Sequence, residues 1–247
     1  MNITNRTVFI AGGTSGIGLG LARRFAAAGG TVTVGGRRAA SLDGLDTVEI
    51  DVTNADSVRR ARDSVLESHP GLDVVVTMSG VQLSEDLRDP EHFATAETTV
   101  ETNLLGTIRV LDAFTPHLLG RGAGTFVTVS SGIGFLPFPL MPTYAATKAG
   151  VHAYTEALRA QLAGTGVEVT ELVPPAVATT PEHKRLNPRA LDLEDYLDEV
   201  LGLLGQDPTP DEILVQGVLQ HRWAERDGTY ADLVAQRSQA LKTLPGR

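Results

Sequence analysis

Short apolar runs rich in β-branched residues alternate along this chain with helix-length amphipathic stretches, and that alternation constrains the fold more than any other feature. The runs are Thr7–Ala11, Thr31–Gly35, Thr47–Ile50, Asp73–Thr77, Thr125–Ser130 and Val167–Val173. Several are almost continuously hydrophobic, as a strand covered on both faces must be. Between them, apolar residues recur with helical spacing over Ile17–Ala28, Asp56–Ser68, Thr98–Leu119 and Tyr144–Ala163. Parallel crossovers are right-handed almost without exception, so six such strands point to an α/β chain with a doubly wound, mainly parallel central sheet and helices on both faces. A ligand crevice is expected beyond the carboxyl ends of the strands. Pro174–Arg189 reads as a long loop, Asp192–Leu204 as a helix and Glu212–Val215 as a short seventh strand. No repeat or linker divides the chain, so residues 1–247 are expected to form a single domain, with a substrate lid over about 174–204.

Composition removes several classes of function. With no cysteine, the chain has no disulfide framework, thiolate metal site or cysteine nucleophile. A net charge of -9 sets up a field that repels polyanions, so neither nucleic acid nor an anionic membrane is expected as a partner. Near the amino terminus the apolar run Val8–Ala11 is too short for a signal-peptide core or a spanning helix, and a cytoplasmic location is expected. The six histidines show no ligand spacing, so no metal is expected, and packing is the expected role of His152.

The first strand runs straight into Gly12-Gly13-Thr14-Ser15-Gly16-Ile17-Gly18. Glycines at a strand-to-helix turn let backbone approach a pyrophosphate, and the helix amino terminus offers free N–H groups and the positive end of its dipole. About 20 residues further on, an acidic residue would grip the ribose 2′-hydroxyl of NAD. Arg37 and Arg38 stand there instead, and a guanidinium suits a 2′-phosphate. The bland alternative is a solvated arginine pair on a loop. Asp51, after the third strand, either receives the adenine amino group or caps the next helix. Tyr144-Ala145-Ala146-Thr147-Lys148 puts a phenol and an ammonium four residues apart, on one face of a helix. A nearby cation favours phenolate, which lowers the tyrosine pKa and makes it a usable acid and base. Ser131, at the end of the fifth strand, can donate to a carbonyl or alkoxide oxygen.

Together these residues resemble the classical short-chain dehydrogenase/reductases over essentially the whole chain. The match runs through Gly12-x-x-x-Gly16-x-Gly18, Asp51-Val52, Asn103 in Asn103-Leu104-Leu105-Gly106, Ser131 and Tyr144-x-x-x-Lys148, in that order. The carboxyl half is similar to a bacterial branch associated with D-alanylation. The resemblance implies a Rossmann-type domain and a catalytic tetrad of Asn103, Ser131, Tyr144 and Lys148. It implies a cofactor held along Gly12, Thr14, Ser15, Gly16, Ile17 and Gly18, then Arg37, Arg38, Asp51 and Val52, then Ser79 and Gly80. Tyr144, Lys148, Pro174, Val177 and Thr179 complete that set. Two departures stand out: Ala11 replaces the usual threonine before the glycines, and Thr77-Met78-Ser79-Gly80 replaces Asn-Asn-Ala-Gly.

The expected activity is NADP(H)-dependent hydride transfer to or from a carbonyl or secondary alcohol of a small, apolar or mixed substrate, with NAD(H) possible. Alternatives are a nucleotide sensor that retains the fold and a redox-neutral family enzyme, such as an epimerase or lyase. The family implies a homodimer or homotetramer through the long helices. The apolar stretch Phe135–Pro142 either lines a pocket or packs in the core. His183, Lys184, Arg185 and Arg189 in the lid either recruit an anionic substrate or form a solvated face.

Overall fold

The computed structural model describes residues 1–38, 41, 42 and 44–245; of the expected domain, residues 39, 40, 43, 246 and 247 lie outside that description. Seven strands form one sheet, and every pairing in it is parallel. They are β1 (Thr7–Ala11), β2 (Thr31–Gly36), β3 (Asp46–Glu49), β4 (Val74–Thr77), β5 (Gly124–Val129), β6 (Val167–Leu172) and, after the short strands β7 (Val177–Ala178) and β8 (Leu191–Asp192), β9 (Glu212–Ile213). The sheet order is β3-β2-β1-β4-β5-β6-β9, so chain direction across the sheet reverses between β1 and β4. Ligands of doubly wound sheets bind at such a switch point.

The hydrophobicity of the strands follows from burial on two faces. In β1, Val8 and Ile10 join a core with Leu21 and Phe25 of α1 (Gly16–Ala27) and with Tyr196 and Leu197 of α8 (Leu193–Leu204). Phe9 and Ala11 point the other way, into a core with Val58 and Val65 of α2 (Ala55–Ser68) and Phe114 and Leu118 of α4 (Gly106–Arg121). Each large side chain buried this way contributes about 1.5–3 kcal/mol. Asn54 caps α2 by accepting from the Ser57 N–H at 2.9 Å, so Asp51 is not the cap; its Oδ1 accepts from the N–H and hydroxyl of Thr53 at 3.0 and 2.7 Å.

The helix expected over Thr98–Leu119 is divided. It consists of α3 (Phe93–Val100), a π-helical turn at Glu101–Leu105, and α4. Such turns inside helices are frequent at functional sites, and this one holds Asn103, which is fully buried. A side chain at Gly106, where α4 begins, would come within 2.7 Å of Val52 Cγ2, so the helix restarts against the loop after β3. Next come α5 (Gly132–Phe135) and α6 (Pro142–Leu162). Pro174–Arg189 is more ordered than a loop: β7 pairs with β8 around α7 (Pro181–Leu186). Two further helices close the chain, α9 (Leu219–Arg222) and α10 (Tyr230–Ser238).

Candidate active site

The turn from β1 into α1 is packed too closely for side chains. Gly12 has φ +91°, and a Cβ on it would lie 2.5 Å from the Ser79 amide nitrogen. A Cβ on Gly18 would lie 2.4 Å from the Gly12 carbonyl oxygen. Thr14 and Ser15 lie on this turn, with Ser15 as the residue preceding α1. Arg37 and Arg38 follow β2 and are exposed. The Asp51 carboxyl is held below its ordinary pKa by its bonds to Thr53 and, less strongly, by the charges of Arg37 and Arg109. Val52 is buried against Gly106, so it contributes shape rather than an accessible side chain.

The two departures in the sequence meet each other in space. Ala11 and Thr77 are register partners on neighbouring strands. Thr77 is buried, and its hydroxyl has no hydrogen-bond partner among the described residues. Lacking a hydroxyl, Ala11 cannot supply one. Met78 donates its N–H to the Ala11 carbonyl at 2.8 Å, so the backbone of the altered segment still follows the sheet.

Three of the four expected tetrad side chains line one cavity of about 630 Å³: Ser131, Tyr144 and Lys148. Ile17, Gly80, Pro174, Val177 and Thr179 line the same cavity, which connects it to the glycine turn and to the β7 segment. Ser131 precedes α5, accepts from the Ile133 N–H at 3.4 Å and donates to the Pro174 carbonyl at 3.3 Å. Tyr144 and Lys148 are one turn apart near the start of α6. The Lys148 ammonium donates to the Val129 carbonyl at 2.8 Å and sits 5.7 Å from the centre of the Tyr144 ring.

Asn103 stands behind this group. Its Oδ1 accepts from the Val81 N–H at 2.8 Å, and its Nδ2 donates to the Val81 carbonyl at 2.9 Å and to the Thr147 hydroxyl at 3.4 Å. It ties the segment after β4 to the helix that carries Tyr144 and Lys148. A Cβ on Gly80 would come within 3.3 Å of Asn103 Oδ1 and 4.0 Å of Lys148 Nζ.

The electrostatics differ from the sequence expectation. Burial raises the Tyr144 pKa, opposed only by its hydrogen bond with Ser131. Burial also lowers the Lys148 pKa to about 8, opposed by the charge of Glu171. The expected depression of the phenol by Lys148 is absent here because the ammonium faces the ring and the Val129 carbonyl, and is itself desolvated.

Of the apolar stretch after α5, Phe138 and Met141 line the cavity and Leu136 is core. In the lid, Lys184 pairs with Asp192, Arg185 pairs with Glu182, and Arg189 is exposed. Only His183 of that charge run reaches the cavity. His152 does more than pack. Its Nδ1 lies 2.8 Å from Glu171 Oε2, which raises its pKa, and its ring meets Phe135 edge-on at 4.7 Å. His152, Glu171 and Glu212 bring ligand atoms within 4.8 Å of one another, a grouping that spacing along the chain did not reveal. Arg222 binds both Glu212 oxygens at 2.9 and 3.0 Å and supplies the cation there itself. Among the cavity residues that the sequence did not assign to the site are two with polar or charged side chains from the end of the chain, His221 of α9 and Arg237 of α10. The sequence carries no local signal for them, because arginine is common throughout this chain.

A family model for short chain dehydrogenases matches residues 6–190, and the chain belongs to that family of oxidoreductases. A Bacillus subtilis (strain 168) protein named uncharacterized oxidoreductase DltE is 34% identical over 214 residues, covering 81% of this chain and 85% of that one. A short chain dehydrogenase from Burkholderia cenocepacia J2315, solved in complex with NADP, superposes with a TM-score of 0.82 at 26% identity, covering 95% of this chain and 99% of that one. A 3-ketoacyl-(acyl-carrier-protein) reductase from Brucella melitensis, complexed with NADH, gives a TM-score of 0.73 at 25% identity, covering 87% and 96% of the two chains. No helix among the described residues is long and apolar enough to cross a membrane.

Proposed function

We propose that this chain is an NADP(H)-dependent oxidoreductase acting on a carbonyl or secondary alcohol of a small substrate with an apolar body. The observation that carries the reading is the convergence of Ser131, Tyr144 and Lys148 on one cavity continuous with the glycine turn. The turn fits a dinucleotide, since it ends at the amino terminus of α1, where Ser15 makes no side-chain cap and the free N–H groups and positive dipole end would suit a pyrophosphate. Gly12, Thr14, Ser15, Gly16, Ile17 and Gly18 would hold the phosphates. Arg37 and Arg38 would take the 2′-phosphate, with Asp51 and Val52 at the adenine. Ser79 and Gly80 would lie along the ribose, and Pro174, Val177 and Thr179 would cover the nicotinamide from the lid at about 174–204.

The bound nicotinamide would supply or accept the hydride. In the reducing direction Tyr144 delivers its phenolic proton to the substrate oxygen, which stays on its carbon and becomes the alcohol hydroxyl. Ser131 donates a hydrogen bond to that oxygen and shares it with the phenol. Lys148 would bind the ribose, and with a pKa of about 8 it can exchange a proton close to neutral pH. Asn103 positions Lys148 and Tyr144 through Thr147 and Val81. The NADH complex of one relative keeps NAD(H) as the weaker cofactor in this reading. A cytoplasmic homodimer or homotetramer joined through α4 and α6 completes it.

Tyr144→Phe tests the assignment. Nicotinamide absorbance with a carbonyl panel should show turnover falling by about 100-fold or more, the usual scale for loss of a general acid, while calorimetry shows cofactor binding retained. Unchanged turnover would remove Tyr144 as the proton donor.

A further inference from the structure

The chain carries a net charge of -9, yet no aspartate or glutamate among the described residues lines the active-site cavity. Its two cationic side chains are Lys148, already assigned to chemistry, and Arg237. Arg237 comes from α10, near the end of the chain, and is half-buried. Its guanidinium donates from Nη1 to the Leu136 carbonyl and makes no ion pair with a carboxylate among the described residues. A guanidinium has five N–H donors in a rigid fork, so most of this one remains available. Withdrawing such a charge from water without a counter-ion is costly, and the cost is offset when an anion binds.

His221 strengthens the case. It lines the same cavity. Its ring lies against Gly132, directly after Ser131: a Cβ on that glycine would come within 2.7 Å of His221 Nδ1. That nitrogen is buried and has no partner among the described residues. Burial, and then the charge of Arg237, hold the imidazole pKa at about 4. At neutral pH the ring is therefore an uncharged hydrogen-bonding group beside the guanidinium. The rest of the wall beyond the nicotinamide position is largely apolar, with Phe138, Met141 and Leu186 among its residues.

We propose that Arg237 is a specificity-determining residue that binds a substrate carboxylate, with His221 beside it, so that the substrate class is an oxo acid and its hydroxy acid. This rests on the reading of the site as a carbonyl-reducing one and specifies its substrate. A carboxylate matches the planar fork and the single charge of one guanidinium. A phosphate brings close to two charges and would need a second free cation, which the described wall does not offer. In the reaction, hydride adds to the oxo carbon and the Tyr144 proton to its oxygen. The carboxylate is unchanged throughout.

The test uses the full chain, NADPH and matched pairs of 2-, 3- and 4-oxo carboxylates with their methyl esters. Arg237→Gln should lower kcat/KM for the acids by roughly 10- to 100-fold, mostly through KM, the range expected for a lost charge-assisted hydrogen bond. The ester kcat/KM should stay within about twofold, because no charge is read there. Arg237→Lys should recover part of the loss. A parallel fall for acids and esters, or an unchanged preference, would overturn the proposal. Arg237 also anchors α10 to Leu136, so thermal unfolding is followed on the NADP-saturated protein with and without the same oxo acids. The acids should raise Tm for the native chain and not for Arg237→Gln, and equal shifts in both would also overturn it. If no acid or ester consumed NADPH, the proposed reductase activity would fail, and the thermal shifts alone would decide the role of Arg237.

Discussion

Lys148→Met should make the pH dependence of stability shallower, and the size of the effect follows from the burial of one ammonium. Lys148 is 5% exposed, and its pKa falls from 10.5 to about 8 on folding. Between those values the unfolded chain holds a proton that the folded chain has released, so stability rises with pH by about 1.4 kcal/mol per unit. The contribution is full above 10.5 and is lost as pH falls through 8. Between pH 8 and 10 the difference between native chain and variant should therefore change by about 2–3 kcal/mol. Burial raises the pKa of Tyr144, Tyr154 and Tyr196. These phenols therefore subtract stability above their ordinary value of 10.0, but do so in both proteins and cancel in the comparison. Urea unfolding of the cofactor-free protein, followed through Trp223, reads the effect as a midpoint difference of about 1 M. Parallel curves for the two proteins would refute the reasoning: Lys148 would then be ionised and solvated as in the unfolded chain, and its proton exchange near neutral pH would lose its physical basis.

Two other outcomes follow from the same geometry. Arg37→Asp should shift the ratio of kcat/KM toward NAD(H) by about tenfold or more, since it replaces attraction for a 2′-phosphate with repulsion; steady-state kinetics with both cofactors would check this, and an unchanged ratio would return Arg37 to a solvated loop. Ala11→Thr should stabilise the protein by about 1 kcal/mol by giving the buried Thr77 hydroxyl a partner, read as a rise in the urea midpoint, while a fall would mean that β1 has no room for the added atoms.

The geometry of the candidate site was legible in the sequence wherever it lies within one element. Tyr144 and Lys148 share a helix face because four residues make one turn, and Gly12 and Gly18 mark a turn where side chains would collide. The depressed phenol expected beside Lys148 was not legible. Its pKa depends on how deeply both groups are buried, and that is a property of the assembled sheet and helices. The π-helical turn around Asn103 was equally hidden, since α3 and α4 read as one periodic stretch until Gly106 has to meet Val52. The lid charges were left open by the sequence: His183, Lys184, Arg185 and Arg189 read as either an anion site or a solvated face, and only the fold shows Lys184 and Arg185 paired with local acids.

By itself, then, the sequence determined the parallel architecture, because strands covered on two faces must be hydrophobic at nearly every position and the helices between them must be amphipathic. It also determined the phenol–ammonium pair and the close contact of Gly18 with Gly12, which need only local periodicity and local sterics. Tertiary structure alone decided that, among the described residues, Ala11 leaves the Thr77 hydroxyl without a partner and Arg237 enters the cavity of Tyr144 without a carboxylate, and that Glu171 stands behind Lys148. Those facts join positions far apart in the chain, and only packing brings such positions within reach of hydrogen bonds and unscreened charge.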